Sequence, residues 1–139
     1  MRILLVLIAA CLSLMPAQAA DYAGQISAYR RAHGQSAVRI DGALNAVALE
    51  QARAMASSGV VSHTVGGLFT KRVAGVRRRL AAENIGAGFR SFPEMLKQWK
   101  DSAGHRENLL MPGAHRVGVA SVANPKSPYR VFWAMVITD

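Results

Sequence analysis

"HRVGVASVANPKSPYRVFWAMVI", residues 115–137, is the stretch on which the fold turns. Two runs rich in β-branched and aromatic residues, 115–123 and 129–137, flank the proline-containing break "NPKSP" at 124–128. Such runs suit a pleated surface, and a short break lets the second return beside the first. The segment therefore predicts an antiparallel hairpin.

Upstream, the pattern changes period. The spacing predicts a helix over 21–34, with Ile26, Tyr29 and Arg30 at helical intervals and Gly34 as its stop. The clearest helix covers 41–59. Asp41 can accept an orphan backbone N–H at its start, and Leu44, Val47, Ala48, Ala52 and Met55 form an apolar stripe. Gly59 suits a left-handed stop. "VVSHTVGG" (60–67) reads as a loop, and 68–75 as a short third helix ending at Gly75. Another helix is predicted over 91–102, where Ser91 can cap, Pro93 suits the first turn and Glu94 complements the dipole. A short helical turn follows within 105–111. Helices first and strands last predict an α+β domain.

The N-terminus reads as a bacterial-type export signal over 1–19: Arg2, the apolar "ILLVLIAACLSLM", then "PAQA" as a small-x-small cleavage site. Residues 20–139 form the remaining domain, about 120 residues, long enough to bury a sizeable core. The apolar run is too short for a membrane span. "IAAC" ending at Cys11 has the look of a lipoprotein box, but cutting there leaves a ten-residue signal and an apolar new terminus, so lipidation is not expected. Cys11 is the single cysteine, so no disulfide is expected in the exported domain. The chain carries a net charge of +9, one less once Arg2 leaves with the signal. "KRVAGVRRR" (71–79) is its densest basic run. A solvated basic face is the simple reading, and contact with an anionic envelope surface the sharper one. No aromatic residues interleave the run, which argues against nucleic acid.

Among four histidines, His33 and His115 read as surface or capping residues. His63 and His105 each sit in a loop following a helix, where site residues gather on a rigid scaffold. Glu83 and Asn84 lie between them in the small, apolar "AAENIGAGF" (81–89). Two imidazoles and a carboxylate can make a metal site or an acid/base cluster. Equally, they can be two surface histidines and a glutamate salt-bridged to "RRRL" just upstream. No HExxH or paired-cysteine motif decides between these.

Taken together, "YRRAHGQSAVRIDGALNAVALEQARAMA", "SH" at 62–63, "AAENIGAG", "WKDSAGHRENLL", "RVGVA" and "YRVFWAMV" resemble, in order and over nearly all of residues 20–139, the CAP superfamily, the SCP-like proteins that include cysteine-rich secretory, antigen five and pathogenesis-related-one proteins. The similarity is greatest to small secreted bacterial members. It implies an α-β-α sandwich with a small, mostly antiparallel sheet, and one cleft lined by His63, Glu83 and His105. Asn84, pointing the opposite way along a strand, is then structural. Where animal and plant members carry a second glutamate, three residues after the helix tryptophan, this chain has Ser102, as bacterial relatives commonly do; Asp101 should face elsewhere.

The resemblance further implies that Glu83 orients the imidazoles and that His63 and His105 can hold a divalent ion such as zinc or magnesium, weakly, for want of a third strong ligand. Two functions follow. One is a secreted binding module for a lipid, glycan or peptide in the envelope or outside the cell. The alternative is a peptidase-like hydrolase using His63, Glu83 or His105 as base, with or without a metal-bound water, or Ser102 paired with His105. No nucleophile-elbow motif surrounds Ser102.

Overall fold

The computed structural model describes residues 21–77 and 79–139; the predicted signal over 1–19, with Cys11, lies outside the described residues. Helix α1 (Tyr22–Ala32) starts where the Asp21 side chain accepts the Gly24 N–H at 2.8 Å. Strand β1 (Arg39–Ile40) follows. Helix α2 (Gly42–Ser58) is capped by Asp41, whose Oδ1 accepts from Ala43 and Leu44, and ends at Gly59 with φ 71°, a conformation that costs glycine little. Helix α3 spans Phe69–Arg72 only, shorter than the expected 68–75, and strand β2 covers Ala81–Ala87. Helix α4 (Phe92–Asp101) opens with Glu94 accepting both the N–H and the hydroxyl of Ser91. These bonds draw the Glu94 carboxyl below its usual pKa. Helix α5 (Ala103–Leu109) begins earlier than predicted, and strands β3 (Arg116–Asn124) and β4 (Arg130–Thr138) form the expected hairpin.

The four strands run in the order β1-β3-β4-β2. All neighbours are antiparallel except the short β1–β3 pair. Strand order along the chain corrects one expectation: β1 and β2 precede the hairpin, so strands do not come last. Neither shows the usual signature. β1 has two residues, and β2 is built mostly of small residues with Ile85 as its single β-branched side chain.

Alternation along β4 divides the interior. Trp133, Met135 and Ile137 face a core shared with Ile26 of α1, Met95, Leu96 and Trp99 of α4 and Leu109 of α5. Phe132, Ala134 and Val136 face a second core with Leu44, Val47, Ala48, Ala52 and Met55 of α2. The result is the α-β-α sandwich, with α2 on one face and α1, α4 and α5 on the other. α2 lies unusually close to the sheet. A Cβ on Gly118 would stand 2.1 Å from the Leu44 carbonyl carbon and 2.3 Å from the Asn45 nitrogen, so only glycine fits there.

Helix α1 carries Arg30 on its buried face beside Ile26, as the helical spacing predicted. Arg30 is fully buried, donating to the carbonyls of Ser36 (2.7 Å), Leu109 (2.8 Å), Met111 (3.1 Å) and Ala114 (3.2 Å). Burial lowers its pKa. The guanidinium fork ties α1 to the segment that leaves α5, and so fixes one wall of the region carrying His105.

Candidate functional site

β2 is an edge strand, and the predicted residues gather around it. Glu83 pairs with Val136 in register and shares its face, toward α2; Asn84 pairs with Met135 and faces α4 and α5. One strand thus serves both sides of the sheet.

On the α2 side, Glu83 is buried, and both its oxygens are occupied. Oε2 accepts Arg72 Nη1 at 2.8 Å, while Oε1 accepts Arg72 Nη2 at 3.0 Å and lies 2.8 Å from His63 Nδ1. A carboxylate can only accept, so His63 carries its proton on Nδ1 and presents Nε2 outward. The Arg72 side chain is 4% exposed and that of His63 51%. Arg72 also donates to the carbonyls of His63 and Gly67, both at 3.2 Å, fastening the loop. Gln51 of α2 secures its other limb, donating to the Ser62 carbonyl at 2.6 Å.

On the other side, Asn84 donates to the His105 carbonyl at 3.0 Å. Asn108 donates to Asn84 Oδ1 at 2.9 Å and to the Glu83 carbonyl at 3.2 Å. This amide pair fastens α5 to β2 and sets the position of His105. The His105 Nδ1 is buried without a hydrogen-bond partner among the described residues. Burial, and secondly the charge of His63, push its pKa below the usual imidazole value. His105 makes no hydrogen bond to Glu83.

Ser102 ends α4 and begins α5, its carbonyl accepting the Arg106 N–H at 2.8 Å; no hydrogen bond joins it to His105. It lines instead an open groove of about 440 Å³ with Phe89, Gln98 and Asp101. Asp101, expected to face elsewhere, lines this same groove and pairs there with Lys97.

The basic run proves to have divided roles. Arg72 of this run, rather than the expected 77–79, supplies the partner of Glu83. Sequence reasoning missed it because nothing periodic distinguishes Arg72 from its exposed neighbour Lys71. The available signal was Glu83 itself, since a carboxylate in a small, apolar run needs a cation. Gln51 was more visible, as a polar residue within the apolar stripe of α2.

The donor set falls short of what a resident zinc or magnesium ion needs. Among the described residues no three His, Cys, Asp or Glu side chains are grouped to hold a cation. The nearest carboxylate is occupied by a guanidinium, leaving two imidazole nitrogens. No helix among the described residues is long and apolar enough to cross a membrane.

Residues 24–137 match the family model described as "CAP: Cysteine-rich secretory protein family". The chain is 31% identical over 100 residues, 69% of its length, to the uncharacterized protein YkwD of Bacillus subtilis (strain 168), and spans 39% of that relative. An extracellular protein containing an SCP domain from Bacillus anthracis superimposes with a TM-score of 0.70 at 26% identity, over 81% of this chain and 37% of that one. An outer surface protein of Borrelia burgdorferi superimposes with a TM-score of 0.72 over 82% of this chain and 86% of that one; at 19% identity it attests the fold alone.

Proposed function

The chain belongs to the CAP family of cysteine-rich secretory proteins, and from that premise we propose that it is an exported bacterial binding module whose ligand is held at His63 and His105. The observation that carries this reading is the full commitment of Glu83. With Arg72 across both oxygens and His63 Nδ1 on one of them, the carboxylate orients the imidazole, and each oxygen already accepts at least one hydrogen bond, which leaves it poorly placed to take a proton from water. His63 Nε2 then offers a fixed polar contact at a half-exposed position. Val60, Val61 and Leu68, all exposed on or beside the same loop, offer apolar contact. A polar point beside an apolar rim suits an amphipathic ligand: a lipid, or the apolar segment of a peptide.

Binding and positioning therefore fall to this chain's own residues. Arg72 and Glu83 hold the His63 ring, and Asn84 with Asn108 hold the His105 backbone.

A second reading rests on His105. Its lowered pKa leaves a neutral imidazole at pH 7, able to act as a general base in a hydrolase. Export is part of the same proposal, resting on the leader-like residues 1–19 and on the extracellular relative.

Native mass spectrometry of the chain purified from its producing cells, beside the His63→Ala/His105→Ala variant, tests both. The binding reading expects an amphipathic molecule to accompany the wild type and to be lost from the folded variant, with no turnover of peptide or ester substrates by either. Turnover by the wild type that the double variant abolishes establishes the hydrolase instead. An unchanged bound molecule in the variant removes the histidines from the site.

A further inference from the structure

One end of the sheet has no part in the His63 site, yet concentrates charge. A single rung crosses all four strands there: Arg39 pairs with Arg116, Arg116 with Thr138, and Thr138 with Ala81. At about 4.8 Å between strands, this rung spans about 14 Å. Beside it lie Arg77 and Arg79, both exposed like Arg39. The acids nearby are already engaged. Asp41 caps α2 and pairs with Arg116. Asp139 accepts the backbone N–H groups of Arg79 and Leu80 and pairs with Arg79. Arg39 and Arg77 have no carboxylate partner among the described residues. Two large apolar side chains stand out of the same end, Ile40 at 43% exposure and Leu80 at 45%, each next in sequence to one of these arginines. Beside Leu80, whose N–H donates to Asp139, the residues His115, Gly113, Arg79 and Asp139 line an open bay of about 410 Å³.

We propose that this end of the sheet docks on a membrane leaflet rich in anionic phospholipid. The arginines supply attraction to phosphate-bearing headgroups, and Ile40 and Leu80 enter the headgroup–acyl boundary. A bare cationic patch would suit any polyanion; the paired apolar side chains select a lipid surface. The surface is separate from the ligand site, so neither proposal depends on the other.

The test uses residues 21–139, which carry every described element and both cores. Residues 3–15 are omitted because an apolar run partitions into bilayers by itself. Sedimentation is measured with vesicles of phosphatidylethanolamine and phosphatidylglycerol, and with phosphatidylcholine alone. Binding is expected only to the anionic vesicles and is expected to be released as salt shortens the Debye length. Arg39→Ala/Arg77→Ala/Arg79→Ala should lower partitioning about tenfold or more. Arg53→Ala/Arg90→Ala/Lys126→Ala removes equal charge from exposed sites away from this rung and should lower it about twofold at most. Ile40→Ser/Leu80→Ser should weaken vesicle binding about threefold or more, and inorganic phosphate should displace the wild type no more than chloride does at the same ionic strength. Circular dichroism checks that each exposed-site variant is folded. Equal losses from the two triple variants, equal binding to phosphatidylcholine, or displacement by phosphate beyond that by chloride at the same ionic strength each overturn the proposal.

Discussion

Arg72 and Glu83, eleven residues apart in sequence, meet through two parallel hydrogen bonds of 2.8 and 3.0 Å, with 4% and 2% of their side chains exposed. Paired, the two charges satisfy one another and hold the His63 loop. Separated, Arg72 is a buried charge with no carboxylate opposite it, and Glu83 keeps only the His63 imidazole.

Replacing Arg72 alone should therefore be costly. Arg72→Met is expected to destabilise by about 3–5 kcal/mol, because the carboxylate stays buried without its partner. Arg72→Met/Glu83→Gln should recover part of that loss. Thermal and urea denaturation of the single and double variants measure the coupling; additive losses would show that the two residues act independently.

The amide clip behaves differently. Asn108→Ala leaves the Asn84 Oδ1 and the Glu83 carbonyl each without a donor, at an expected cost of about 1–3 kcal/mol. His105 should also move, since Asn84 holds its carbonyl. NMR shifts of the His105 ring, compared with those of the distant His33, report whether the displacement is local.

The pH dependence has a defined sign. The His105 pKa is lowered in the folded chain by burial and then by His63, so below about 6.5 the unfolded chain binds a proton that the folded chain refuses. Its contribution to stability is complete above about pH 6.5 and is lost as pH falls toward the folded-state value. NMR titration in metal-free buffer should place His105 below about 6.5. His63→Ala should move it part of the way back and leave the burial effect. A titration at or above about 6.5 in the wild type contradicts this account.

Gly118→Ala tests the packing of α2. The added methyl meets helix backbone rather than a movable side chain, so the helix must shift outward. The expected cost is about 1–3 kcal/mol or more. An unchanged melting temperature would mean that α2 adjusts freely on the sheet.

Much of the architecture was legible because its signals are local. Asp41 bonds to residues two and three positions ahead, Glu94 reaches back three to Ser91, and Gly59 terminates α2 through its own backbone angle. The hairpin at 115–137 is likewise a near-neighbour event. β2 was not legible from its own pattern, and only the family resemblance put Asn84 on a strand, because small residues acquire strand geometry from pairing with β4, 45 to 57 residues further along. His63 in its loop and Glu83 in its apolar run were visible as polar types, and the family resemblance grouped them with His105, which was expected in a loop and lies instead within α5. Arg72 and Asn108, which hold Glu83 and fasten α5 to its strand, were not visible as such.

By itself, then, the sequence determined where the capped helices α2 and α4 begin and where α2 stops, that a hairpin closes the chain, and which polar residues needed an explanation, because a cap, a stop or an alternating strand is decided among residues a few positions apart. Only the tertiary structure decided that Arg72, and not its equally basic neighbours, reaches Glu83, that Arg30 is buried beneath residues up to 84 positions away, and that Asn84 and Asn108 tie the His105 backbone to β2. A buried charge or amide takes its partner from whatever the fold brings near, and that proximity is written in no local pattern.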